Sequence, residues 1–122
     1  MSFVMEENSL TIDVKHNRMR LLKSAVQVLG EPRKVQLWVN PYQKEIMIRS
    51  ANDDTPGGQT LSVHPAKPND YYEIYSLSFV QRLQRLFPAM QDCCSYRVHG
   101  KPVSKENGIV FSMSTLEKIG KE

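Results

Sequence analysis

Ser24-Ala25-Val26-Gln27-Val28-Leu29 and Ser78-Phe79-Val80-Gln81-Arg82-Leu83 share the pattern Ser-x-Val-Gln-x-Leu and lie 54 residues apart. In each, the Ser oxygen can accept from an amide of a first helical turn, and the Gln three positions on can reach back to the cap's own amide. Both copies therefore read as helix starts. Each follows a strand-like run and precedes two more. The reading is a tandem of two strand, helix, hairpin units, and the expected fold class is α+β: β-rich, the two units forming one compact barrel-like domain.

Around the first copy, Leu10, Ile12 and Val14 alternate with Thr11, Asp13 and Lys15, the period-2 signature of a strand with one buried face. His16-Asn17 offers a turn, since Asn tolerates positive φ, and Met19 to Leu22 resumes as a second strand. The helix is expected from Ser24 to Leu29, because Gly30 can take the left-handed conformation that ends a helix and Pro32 cannot continue one. Val35, Leu37, Val39 and then Ile46, Ile48 alternate with their neighbours on either side of Asn40-Pro41-Tyr42-Gln43-Lys44, which predicts a hairpin. Trp38 opposes the Val35, Leu37, Val39 face; a core or second-sheet position is expected for it, with an exposed anchor at a protein contact as the alternative.

Residues 1–50 thus make the first unit. Residues 51–70, with Asn52-Asp53-Asp54-Thr55-Pro56-Gly57-Gly58, Pro65 and Pro68, read as a linker holding one strand at Thr60 to His64. Residues 71–122 make a second, divergent unit. Tyr71 to Ser76 opens it as a strand whose aromatic residues are expected to pack a core rather than stack bases. Phe79, Val80, Leu83, Leu86 and Phe87 then form an apolar stripe at helical period, ended by Pro88. Ser95 to His99 and Ile109 to Met113 are expected to pair across a loop from Gly100 to Gly108, with Ser114 to Glu122 as a brief helix or a fraying tail.

Hydrophobic residues make up 40% of the 122 residues and charged residues 24%, ordinary values for a globular chain, and no run is long enough to cross a bilayer. Met1 to Glu7 lacks the basic cluster and apolar core of a secretory signal, so a cytoplasmic location is expected. Cys93 and Cys94 are adjacent, which does not suit a disulfide framework, and with His16, His64 and His99 they supply no recurring metal-ligand spacing. No cofactor, no metal and no small-molecule substrate is expected. The chain is read as not an enzyme: pairing Cys93 or Cys94 with His99 lacks a third orienting group, and Pro56-Gly57-Gly58 lacks the Lys and the strand-to-helix setting of a phosphate loop.

The net charge of +3 conceals an asymmetry. Between residues 15 and 49, eight basic residues face two acidic ones, a net +6, whereas residues 50–122 balance to zero. A cationic first unit suggests a polyanionic partner, duplex DNA among them, whose backbone phosphates would be neutralised with release of counterions. The candidate nucleic-acid-binding residues are Lys15, Arg18, Arg20, Lys23, Arg33 and Lys34. The alternative is a non-enzymatic protein-interaction or assembly module, since hairpin edges in β-rich repeats favour oligomers such as a homodimer.

The run from Asn17 through Arg18, Leu22 and Ser24 to Gly30 resembles, without gaps, the segment of AbrB-like proteins that reads Gly-Arg-Val-Val-Ile-Pro, a short helix, then Leu-Gly. The likeness extends over about Leu10 to Arg49, and a chain holding two such units is similar in plan to the MraZ proteins. It implies an intertwined swapped-hairpin barrel and a DNA-binding transcriptional regulator, with Arg18 at the place of the family's Gly-Arg arginine. Leu22 stands where that family usually has Pro, and Val26 and Gln27 where its helix often carries Arg.

Overall fold

A computed structural model of the chain describes residues 8–64, 71–103, 105 and 107–121, with the backbone alone at 62–64 and 121. In chain order the elements are β1 (Asn8–Asp13), β2 (Arg18–Leu22), α1 (Lys23–Val28), β3 (Lys34–Asn40), β4 (Glu45–Ala51), β5 (Gln59–Thr60), β6 (Ser62–His64), β7 (Tyr71–Tyr75), α2 (Leu77–Leu86), β8 (Cys94–Val103) and β9 (Gly108–Lys121). The strands form one nine-stranded sheet in the order β5-β3-β4-β9-β8-β1-β2-β7-β6, with every neighbouring pair antiparallel. Its two outermost strands are joined through Leu61, so one short segment touches both margins and the sheet curls into a nearly closed barrel.

Alternation decides what fills the barrel. Leu10 and Ile12 of β1, Met19 and Leu21 of β2, Ile46 and Ile48 of β4, Ile74 of β7, Val98 of β8 and Ile109 and Phe111 of β9 are all fully buried. Successive side chains of a strand point to opposite faces, so these residues share the inner face of one sheet. Ala25 and Val26 of α1 and Phe79, Val80 and Leu83 of α2 join the same core. Gly100 of β8 is where chain meets chain most closely: a Cβ there would stand 2.5 Å from the Val110 carbonyl oxygen.

Both helices begin where the sequence expects them to within two residues, but not on the caps it names. Ser24 and Ser78 lie inside their helices. The cap of α2 is Ser76, whose Oγ accepts from the Phe79 amide at 3.3 Å, and α1 starts from Leu22 with no side-chain cap. A Ser two residues upstream of another supplies the same oxygen, so a local pattern alone does not fix the frame. At its far end α1 closes as expected: Gly30 takes φ +85°, Glu31 N–H donates to the Val26 carbonyl and Gly30 N–H to that of Gln27.

Five further expectations are corrected. The tail 114–121 is strand, because β9 continues along β8 to Cys94↔Lys121 with bulges that absorb its extra length. The loop between β8 and β9 is shorter than Gly100 to Gly108, since pairing extends to Val103↔Gly108. Trp38 lies on the outer face, half exposed, rather than in a core. Tyr72 packs against the core, but Tyr71 and Tyr75 do not take core positions. Of the linker, the single strand expected at Thr60 to His64 is instead two, Gln59–Thr60 and Ser62–His64, on either side of Leu61, while Pro65 and Pro68, like the Met1 to Glu7 start, fall outside the described residues. No helix among the described residues is long and apolar enough to cross a membrane.

Candidate nucleic-acid interface

Strand β2 carries the centre of the predicted site. Met19 and Leu21 point into the barrel, so Arg18 and Arg20 share its outer face. Exposed Lys15 precedes the strand in the β1–β2 turn and exposed Lys23 follows it as the first residue of α1. The turn itself is closed by Asn17 at φ 53°, whose amide donates to the Val14 carbonyl and whose carbonyl accepts from Ser76 N–H.

The two arginines are not bare charges. Asp13 on β1 is opposite Arg18, and Glu73 on β7 is opposite Arg20. Arg18 Nε lies 2.8 Å from Asp13 Oδ2 and its Nη1 3.3 Å from Glu73 Oε2, while Arg20 Nε donates to the same Glu73 oxygen at 3.0 Å. Tyr75 OH donates to Glu73 Oε1 at 2.8 Å, and His16 holds Asp13 from the turn through Nδ1 at 2.9 Å. The Arg20 guanidinium also lies over the Tyr71 ring, 4.9 Å from its centroid.

This network explains why two carboxylates on an outward face are almost fully shielded, Asp13 at 1% and Glu73 at 2% exposure. Burial pushes the Asp13 carboxyl up, but hydrogen bonds from His16 and Arg18 and the Arg18 charge outweigh it and hold the pKa below the ordinary value. Burial likewise raises Glu73, and the Tyr75 and Arg20 hydrogen bonds with both arginine charges bring it below the ordinary value. Burial works against the Arg18 cation, and its bonds to Asp13 and Tyr75 reverse that and raise its pKa.

The six predicted cations stand on two parts of the sheet. Lys15, Arg18, Arg20 and Lys23 line up along β2 and its two ends. Arg33 and Lys34 belong to β3 and the residue before it, and β3 forms no ladder with β2. Arg33 pairs with Asp53 at 2.9 Å on open surface, and the Lys34 stem runs beside Gly58. Asp13, Glu73, Tyr71, Tyr75 and His16 were not among the predicted site residues. Asp13 and Glu73 do carry a signal, a carboxylate at an alternate position of a strand, but which arginine each meets depends on register.

What the site can do is hold two guanidinium groups flat and oriented while keeping outward donors, because each Arg has five N–H groups and the carboxylates engage few of them. No cluster of three or more His, Cys, Asp or Glu among the described residues is placed to hold a metal. The adjacent cysteines, whose spacing does not suit a disulfide framework, are bonded to each other, Cys93 to Cys94. His99 meets Glu117 at 3.3 Å. Comparison with known proteins finds no family model, no curated protein and no solved structure that matches this chain.

Proposed function

We propose that this chain is a non-enzymatic, tandem AbrB-like barrel that binds duplex DNA through the outer face of β2. The tandem reading is supported by two features of the chain path. The helices start 54 residues apart, at Lys23 and Leu77, the same offset as the sequence repeat. Exchanging β1 with β6, β2 with β7, β3 with β8 and β4 with β9 also leaves the neighbour relations of the sheet unchanged, if β5 and β6 are counted as one strand. The halves nevertheless differ in length, since the β3–β4 hairpin has strands of seven residues and β8–β9 strands of ten and fourteen.

The observation that carries the DNA reading is the line of Lys15, Arg18, Arg20 and Lys23 along one outward strand edge to end. Lys15 and Lys23 have no ion pair among the described residues and supply net charge; Arg18 and Arg20, neutralised by Asp13 and Glu73, supply fixed donors for phosphate oxygens. Two phosphates neutralised by Lys15 and Lys23 correspond to a salt slope of about −1.8, so a fourfold rise in salt weakens binding by roughly 10-fold. The test is fluorescence anisotropy with a labelled duplex across a salt series. Binding at low salt is expected, and Lys15→Ala with Lys23→Ala reduces the slope by about 1.8 while leaving the fold intact. Absence of binding at low ionic strength removes this reading in favour of the assembly module.

A further inference from the structure

On the other side of the barrel, β3 has an edge that its neighbour does not cover. β5 pairs with β3 at Lys34 and Val35, and Leu61 N–H donates to the Arg33 carbonyl at 2.9 Å. In an antiparallel ladder alternate residues present both N–H and C=O to the same side. Arg33 faces β5, so Val35, Leu37 and Val39 face that side too, while Gln36, Trp38 and Asn40 bond across to β4. Beyond Val35 the β5 side is the Asn52–Gly58 turn, whose Pro56 carbonyl accepts from the Gln36 side chain at 3.3 Å, and among the described residues no ladder or loop bond reaches the Leu37 and Val39 backbone from that side. A groove of about 460 Å³ lies along this stretch, bordered by Leu37, Trp38, Val39, Pro56, Gly57 and Arg82.

We propose that this edge pairs with the same edge of a second copy, antiparallel, about a two-fold axis at Trp38. That register sets Leu37 against the second copy's Val39 and Val39 against its Leu37, giving about four inter-chain backbone bonds from groups that have no ladder partner on that side among the described residues. Trp38 then meets the second copy's Trp38 as a close pair, with Cα atoms about 4.5 Å apart on the outer face. Trp38 is 50% exposed, and its flank borders a second groove of about 370 Å³ with Met47 and Val110, so the paired indoles gain cover from each other and from that apolar strip.

A second copy fits better than an unrelated peptide because the edge is complementary to itself. Val35-Gln36-Leu37-Trp38-Val39-Asn40 carries no charge, so the paired strands themselves set no like charges against each other, with Arg82 at the groove's border and the blocking residues Lys34 and Pro41 only at the two ends of the run. A contact of one short edge and an indole pair falls below the ~1,200 Å² of a stable interface, so the dimer is transient and concentration-dependent. The inference goes beyond the DNA-binding reading and uses a different surface.

Trp38 is the single tryptophan, so its emission reports this contact alone. Sedimentation of the full chain over about two decades of concentration is expected to show monomer passing to dimer, with the Trp38 emission shifting to the blue in step. Val39→Pro removes an N–H that points to the open edge, and Trp38→Lys places a charge at the axis; both are expected to keep the far-ultraviolet spectrum and to stay monomeric throughout. If Val39→Pro fails to fold, Trp38→Lys decides. A chain monomeric at every concentration, a dimer that the folded variants do not disturb, or a dimer that leaves Trp38 emission unmoved overturns the proposal. Lys15→Ala with Lys23→Ala leaves the dimer unchanged, which separates failure here from failure of the DNA reading.

Discussion

The outer face of β1, β2 and β7 and the outer face of β3, β4 and β9 are made by the same rule and end in opposite states. On both, every second residue points away from the core. On the first, Asp13 and Glu73 are shut away from water because Arg18 and Arg20 lie across them, with Tyr71 and Tyr75 alongside. On the second, Trp38, Met47 and Val110 lie abreast on neighbouring strands, and Trp38 stays half exposed. Pointing outward is thus not the same as being solvated. A polar face can cover itself with long side chains, whereas an apolar strip needs another chain to do so.

The contrast breaks first at Arg18. Arg18→Ala removes a cation that serves both Asp13 and Glu73 and leaves two shielded carboxylates with fewer partners, so urea unfolding should show a loss of about 2–3 kcal/mol. A loss within ~0.5 kcal/mol would mean the network is ordinary surface. Acid titration sharpens the same side. Both carboxyls sit below their ordinary values of 3.8 and 4.5, so their stabilisation is complete above those values and disappears as pH falls through the lower folded-state ones. Melting temperature should therefore drop steeply below about pH 4, and Asp13→Asn with Glu73→Gln should flatten that limb. The smallest effect is expected on the apolar side: Trp38→Ser should change monomer stability by under ~0.5 kcal/mol in dilute solution. A loss comparable to that of Arg18→Ala would erase the distinction between the faces.

Much of the barrel was legible because its cues are local. Leu10 and Ile12, or Ile46 and Ile48, declare an inner face by spacing, and Asn40 closes the β3–β4 turn by accepting from the Tyr42 and Gln43 amides. The β9 tail was misread for the converse reason. Leu116 and Ile119 stand three apart, as on a helix, and pairing to a partner strand more than fifteen residues earlier overrides that local hint. The site divides in the same way. Arg18 and Arg20 on one face follow from alternation, but the Arg20–Glu73 contact joins residues 53 apart, and no pattern within either strand reveals that the charge is already answered. For Trp38 a core or second-sheet position was expected with an exposed anchor as the alternative, and β3 turns it to the outer face, half exposed.

The way the hoop is fastened bears on how the polypeptide is made. β1 leans on β8, β2 on β7 and β4 on β9, so an emerging ribosomal product can close the β1–β2 and β3–β4 hairpins from its first fifty residues, but the outer edges of β1, β2 and β4 must wait for mates that are still untranslated. Final closure then falls to the mid-chain clasp at Gln59–His64. A transcript cut short after β4 would leave the ladder edges of β1, β2 and β4 exposed for quality control to clear.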